Sequence, residues 1–403
     1  MTGSQNKHEV QASLYVFLCL AILGSLPGLY LGTVSVHVGP VVGALLFGTA
    51  IFAAAFLLSW AAEAAQIDIS QSLAIAILAL IAVLPEYAVD FVFTWKAAHD
   101  PQQAHYAIAN MTGANRLLVG LGWPLVLLLF VLAKKRRAIV LEKSHRVEIF
   151  YLAMATIYSF TIPLKGSLNL VDTAILVTLF VLYTRRAARM EHVEPEIVGP
   201  VKILANMSRG YRRAATIVSF LYSGLVIFFV AEPFAESLVA SGRTLGLNEF
   251  LVVQWLAPIA SEAPEFIIAA TWALRGAAGA ALHALISSKV NQWTLLVGTI
   301  PLVYAISGSA VRPFVLDSLQ DHELILTSAQ SLFAVAVLVN LRLTRLEGVL
   351  LAGLFLLQLF IADIRLEVTA VYIVLALFFL VLHRGCLVPA TRMGLGLREK
   401  SDV

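Results

Sequence analysis

The run APIASEAPEFIIAATW, residues 257–272, places Glu262 and Glu265 three residues apart inside an otherwise apolar segment. A second run, VLPEYAVDFVF at 83–93, does nearly the same with Glu86 and Asp90. An ionised carboxylate near a bilayer centre costs about 2.5–3.5 kcal/mol on insertion scales. Whether these four acids carry that cost depends on whether the segments around them lie in lipid.

Composition says that they do. The 403 residues are 60% hydrophobic and 13% charged, with a mean hydropathy of +0.86, whereas soluble domains average about 25% charged residues. Apolar runs of about 17–25 residues mark membrane-spanning helices, and roughly twelve can be placed. They lie near 11–32, 38–64, 71–96, 105–132, 147–165, 169–186, 213–240, 247–274, 279–306, 325–342, 346–363 and 367–383. The expected fold class is an all-α polytopic membrane protein. The polar start MTGSQNKHEVQ runs into the first apolar helix without a small-residue cleavage pattern, so no removable leader is expected. Cys19, in the first span, and Cys386, in the tail, suggest neither a disulfide framework nor a metal cluster.

The net charge of +3 is small, and its distribution is more informative. The most basic loops are KKRRAIVLEKSHR at 134–146 and the stretch from RRAARM at 185–190 to SRGYRR at 208–213. Lysine and arginine concentrate on the cytoplasmic side, and the two spans between these loops give the parity that rule needs. Counting outward puts both termini in the cytoplasm, in a multi-pass protein of the plasma (inner) membrane.

Setting Pro85-Glu86 over Pro264-Glu265 aligns two halves of the chain. LAIAILALIAVLPEYAVDFVFTWKAA is followed by HYAIANMTGANRLLVGLGWPLVLLL, and FLVVQWLAPIASEAPEFIIAATWALRGAAG by ALHALISSKVNQWTLLVGTIPLVYAI. Asn115 falls opposite Asn291 and Gly122 opposite Gly298, with Pro124 and Pro301 close behind. By the charge count the span at 71–96 starts inside and its counterpart at 247–274 starts outside, so the repeats are inverted. Inverted repeats with interrupted helices meeting at mid-membrane are a secondary-transporter plan. Pro85 and Pro264 remove backbone donors, predicting disturbed helices with carbonyls freed for a cation. The chain then divides into an extra helix at 1–37, repeat 1 at 38–190, a cytoplasmic loop at 191–212, repeat 2 at 213–363, and an extra helix with tail at 364–403. The core is thus an inverted five-plus-five arrangement.

These duplicated Pro-Glu helices, each followed by a small-x-Asn segment, resemble the membrane repeats of the Na⁺/Ca²⁺ exchanger family in the calcium/cation antiporter superfamily. The family pattern is GTS-x-PE and GSN. In this chain the first Thr and Ser positions are Ala82 and Val83. In the second repeat Ser261 keeps a hydroxyl and Glu262 replaces the other serine. The GSN triplets read Gly113-Ala114-Asn115 and Lys289-Val290-Asn291. The resemblance implies a secondary active antiporter exchanging Ca²⁺ or Na⁺ against Na⁺ or H⁺ by alternating access. The loss of hydroxyls leaves open a monovalent Na⁺/H⁺-type exchanger without Ca²⁺ transport.

Chemistry supports a cation site independently. Glu86 and Asp90 at i, i+4 share one helical face, as do Glu262 and Glu265 at i, i+3. Glu86 and Glu265, brought together by the inverted topology, would offer the hard oxygens Ca²⁺ or Na⁺ prefers, and the same carboxylates could bind protons in competition. The following helices add Asn115 with Thr112, and Asn291 with Ser287 and Thr294, on single faces. Ser261 completes the candidate ligands. Buried pairing between helices is the plainer reading of each polar residue, weakest for the matched Glu86 and Glu265.

Two cations sit among these segments. On a regular helix Lys289 points about 160–200° away from Ser287 and Asn291. It either pairs elsewhere or, if the helix breaks, reaches Glu262. Arg116 follows Asn115 directly. Glu63 and Glu236 are expected to close the helices before each Pro-Glu helix, and Trp95 and Trp272 to belong to an interfacial belt.

Two other function classes find less support. An intramembrane enzyme would need a nucleophile or metal motif, but HEVQA at 8–12 lacks the second His of HExxH and no GxSxG occurs. A channel would build acidic rings by oligomeric symmetry, whereas this chain carries its own duplication. The expected partners are inorganic cations and membrane lipid, without nucleic acid or bound cofactor, in a monomer or homo-oligomer.

Overall fold

A computed structural model describes residues 2–34, 38–68, 84–189 and 199–397. The segment 71–83 of the first Pro-Glu helix, with Ala82 and Val83, lies outside the described residues, as do 191–198 of the cytoplasmic loop and the tail beyond 397. Nearly everything described is helix, as the composition predicts. Seven helices among the described residues are long and apolar enough to cross a bilayer: Leu14–Val34, Pro40–Ala65, Pro101–Lys134, Lys143–Lys165, Arg209–Thr244, Glu249–Arg275 and Arg365–Leu382.

The chain divides into two compact units that do not follow the sequence halves: Met1–Val92 with Glu191–Pro264, and Phe93–Met190 with Glu265–Val403. Both division points fall inside Pro-Glu helices, Leu84–Ala97 and Glu249–Arg275.

In the first unit, helix Thr2–Val34 packs along Pro40–Ala65 through Gly24 and Gly28, one turn apart, and against Arg209–Thr244 through Gly32. A Cβ at Gly28 would meet Ala50 Cβ at 2.5 Å, and one at Gly32 would meet the Phe229 carbonyl oxygen at 2.6 Å. Small residues of this kind let helix backbones approach in lipid, where hydrophobic driving force between helices is absent. Leu57, Trp60, Val201 and Leu204 bury together at one end. Just beyond it, Asp68 accepts from Arg212 Nε at 2.7 Å and Nη2 at 3.0 Å, with Arg209 and Arg213 alongside. The Arg212 guanidinium holds the Asp68 carboxyl below the usual carboxylate range.

In the second unit, Ser318–Leu338 is the central helix, buried on every face over its C-terminal half. Its Thr327, Ser328 and Ser331 hydroxyls donate to carbonyls one turn back, at 2.7, 2.8 and 2.8 Å, so they need no outside partner. Around it stand Pro101–Leu117, Arg146–Ser159 and Arg365–Leu382. Two short antiparallel ribbons, absent from the all-α expectation, tie loops together: Ala138–Val140 with Arg342–Thr344, and Ser167–Leu168 with Phe314–Val315.

The helix interruptions fall elsewhere than expected. Glu249–Arg275 is continuous through Pro264, whereas Pro85 stands at the edge of the described residues, with the segment before it outside them. It is the Asn helices that change winding, through π segments at Leu118–Gly122 and Gln292–Leu296. Each π segment receives a helix of the other sequence half: Arg345–Phe360 packs on the first and Leu170–Ala187 on the second. Gly120 allows the first approach, since a Cβ there would lie 2.2 Å from Phe355 Cγ.

Gly120→Ala is therefore expected to cost about 1–3 kcal/mol through overpacking. Gly353→Ala, with open space around it, should be neutral or stabilising, and melting in detergent separates the two. A depressed carboxylate stabilises the fold above its ordinary pKa of about 3.9, and that stability is lost as pH falls through the lower folded value. Asp68→Asn should accordingly melt below wild type at neutral pH, with the two curves converging in strongly acidic buffer.

Candidate functional site

The acids expected from sequence are deeply placed. In the first unit Glu86 is 2% exposed, Asp90 0% and Glu262 3%. Ser261 is buried beside Glu262 and donates its hydroxyl back to Ala257 O at 3.2 Å and Pro258 O at 3.3 Å, leaving its lone pairs as acceptors. Glu86 and Asp90, one turn apart on Leu84–Ala97, lie on the same face as their spacing predicts.

In the second unit Glu265 is half-buried, and its Oε1 accepts from Ser288 Oγ at 3.2 Å. The sequence reading placed Ser287 on one helical face with Asn291. Ser287 instead hydrogen-bonds the buried Tyr183. The adjacent serine pair was the available signal, but 100° of helix rotation separates its members, and only the packing chooses between them. Phe266, next along from Glu265, rests against Gly122, where a Cβ would come within 2.8 Å of its ring. At the matching Gly298 an added Cβ would meet Leu176 Cβ at 3.0 Å. Both glycines thus mark close approaches.

The amide positions are buried, Asn115 at 0% and Asn291 at 1% exposure. Thr112 and Thr294 each donate one turn back, to Ile108 O and Val290 O, both at 2.6 Å. Their hydroxyl protons are thereby committed to the helix, and only their lone pairs remain to face a cation. Asn115 donates from Nδ2 to Met111 O at 2.8 Å, and its Oδ1 accepts from Lys289 Nζ at 2.8 Å.

Lys289 thus reaches across to the first Asn helix, and it is fully buried, at 0% exposure. Arg116 turns the other way. Its Nη1 donates to Gln358 Oε1 at 2.7 Å and its Nη2 pairs with Glu323, which also meets Arg365. The Gln330 amide donates to the Arg116 carbonyl at 3.4 Å. One guanidinium thereby ties the first Asn helix to two others, Ser318–Leu338 and Arg345–Phe360, and nothing in the local sequence indicated Glu323 or Gln358 as its partners.

The remaining expectations divide. Glu63 lies in the last turn of Pro40–Ala65, but Glu236 sits two turns before the end of Arg209–Thr244 rather than closing it. Trp95 is 51% exposed, as a belt residue would be.

The arrangement matches known proteins over its length. The pattern of the sodium/calcium exchanger protein family matches residues 38–187 and 215–362. The crystal structure of the H⁺/Ca²⁺ exchanger CAX is 41% identical, covers 96% of this chain and 98% of its own, and superimposes with a TM-score of 0.92. Two further structures share the fold at lower identity. The Ca²⁺/H⁺ antiporter protein YfkE is 17% identical with a TM-score of 0.60, covering 91% of this chain and 99% of its own. The sodium-calcium exchanger NCX_Mj is 16% identical with a TM-score of 0.52, covering 85% and 99%. Among curated proteins none matches.

Removing one partner of a buried pair strands the other, a loss of about 3–5 kcal/mol where nothing compensates. Arg116→Met should fall at the lower end, because Arg365 still answers Glu323. Glu323→Leu, which leaves two guanidinium groups facing an apolar side chain, should cost more. Melting of the purified variants in detergent gives the order.

Proposed function

The chain belongs to the sodium/calcium exchanger family, and from that premise we propose that it exchanges Ca²⁺ for H⁺ by alternating access. It is a transporter, not an enzyme. The observation that carries the ion assignment is the 41% identity to the H⁺/Ca²⁺ exchanger CAX over nearly the whole of both chains. Glu86 and Glu265 are read as the carboxylates that take the cation. Glu262 and Asp90 supply further acid oxygens, and Ser261, Thr112, Thr294 and Asn291 supply neutral oxygens.

Ca²⁺ takes six to eight oxygen ligands, with carboxylates foremost, and the acids in these helices provide such ligands. A carboxylate left empty in a membrane is costly. On this reading Glu86 and Glu265 hold either one divalent cation or two protons, so the bilayer never receives their bare charge. Competition between the two occupants, with one access change per occupant, makes the exchange obligatory. Asn115, expected as a further ligand, has its carbonyl oxygen on Lys289, so it enters the cation site less readily than Asn291.

The basic loops at 134–146 and 185–213 support an orientation with both termini cytoplasmic, in the cell's plasma or inner membrane. Reciprocal packing of a helix from each sequence half on the other half's π segment supports the inverted five-plus-five plan.

Purified protein in proteoliposomes, followed with ⁴⁵Ca²⁺ and a trapped pH dye, tests this. Wild type is expected to take up Ca²⁺ only when protons can move the other way. Glu265→Gln, the same size without the charge, should fall to background. Glu249→Gln, at an exposed ion pair with Arg243, should stay near wild type. Normal uptake by Glu265→Gln, or uptake indifferent to the proton gradient, would sink the proposal.

A further inference from the structure

Lys289 occupies the first position of a triplet that carries glycine in the resembled family pattern, so a charge stands here where that pattern has none. The ammonium is completely enclosed, and three groups of one kind are among its neighbours. Nζ lies 2.8 Å from Asn115 Oδ1, 3.3 Å from the Asn115 main-chain oxygen and 4.4 Å from the centre of the Trp293 ring. An amide oxygen, a main-chain carbonyl and an aromatic face are neutral, electron-rich groups. They are what a monovalent cation takes when it sheds its water.

We propose that the Lys289 ammonium is a tethered cation that permanently fills a monovalent-cation subsite made by Asn115 and Trp293, and so excludes Na⁺ from the exchange cycle. This rests on the antiporter reading above and adds the reason one coupling ion is preferred.

Three observations support it. Trp293 lies one turn beyond Lys289, so the helix itself sets the ring beneath the stem. Asn115 is oriented to receive a cation, because Nδ2 donates to Met111 O and turns Oδ1 toward Nζ. A second cation on the same Oδ1 would lie within about 4–5 Å of the ammonium in a low-dielectric interior, where like charges repel strongly. The effect depends on the fixed charge alone and involves no proton transfer by the lysine.

The competing explanation is a structural cross-link between the two Asn helices, and it makes different predictions for Na⁺. Full-length protein is titrated with NaCl against choline chloride, reading melting temperature and tryptophan fluorescence. Wild type is expected to show no saturable Na⁺ response. Lys289→Ala, which empties the subsite and leaves Asn115 in place, should bind Na⁺ on the order of tenfold more tightly than wild type or better. Methylammonium should compete with Na⁺ in that variant. Lys289→Met fills the same space without charge and should stay silent to Na⁺, and adding Asn115→Ala to Lys289→Ala should erase the response. Lys289→Ser carries the same test if the alanine variant does not fold.

A folded Lys289→Ala or Lys289→Ser protein that ignores Na⁺ as wild type does would overturn the proposal in favour of the cross-link. A saturable Na⁺ response in wild type would overturn it as well. Failure of wild type to exchange Ca²⁺ for H⁺ in vesicles would instead remove the antiporter reading, while the Na⁺ titration still judges the subsite.

Discussion

A buried cation in a membrane protein must be met by oxygen atoms, and the second unit is organised around meeting two of them. Asn115 and Arg116 are consecutive, so their side chains leave the helix about 100° apart. Asn115 faces the other Asn helix and receives Lys289. Arg116 faces the central helix and reaches Glu323 and Gln358. One step along the chain therefore fastens Pro101–Leu117 to helices on two of its sides. Each contact sets an oxygen atom against a buried charge, which is part of what makes that burial tolerable.

The same helix pair carries the π segments. A π turn skips one donor in the hydrogen-bond ladder and widens the helix, and such segments recur at functional sites. Here they follow Asn115 and Asn291 by a few residues at most, and each is held by a helix from the other half of the sequence. Glycines let those helices come close: Gly120 beneath Phe355, and Gly298 beneath Leu176. The wide turns beside the amides are clamped from outside, while Glu249–Arg275 stays continuous.

Much of this was legible before any coordinate. Hydropathy placed nearly every described helix within a few residues, because crossing a bilayer demands a long apolar run wherever it occurs in the chain. The Pro-Glu pairs and the matched asparagines were visible as an internal duplication, and they led to the right family. Pro264 misled, because one proline's missing donor does not end a helix whose other bonds hold, and Glu249–Arg275 runs on through it. The π segments left no signal of their own, since LVGLG and QWTLL read as ordinary helix.

What the sequence by itself determined was therefore the membrane class, the rough bounds of most described helices, the family, and the four acids that make lipid burial expensive. These follow from composition and spacing, which are local properties. Only the tertiary structure decided which serine of the pair meets Glu265, that Lys289 lies on Asn115 from 174 residues away, and that Arg116 is answered by Glu323. Those choices depend on the rotation of each helix about its axis, where one residue is a 100° turn. They depend too on which neighbour packs against it, and no periodicity in a single chain encodes either.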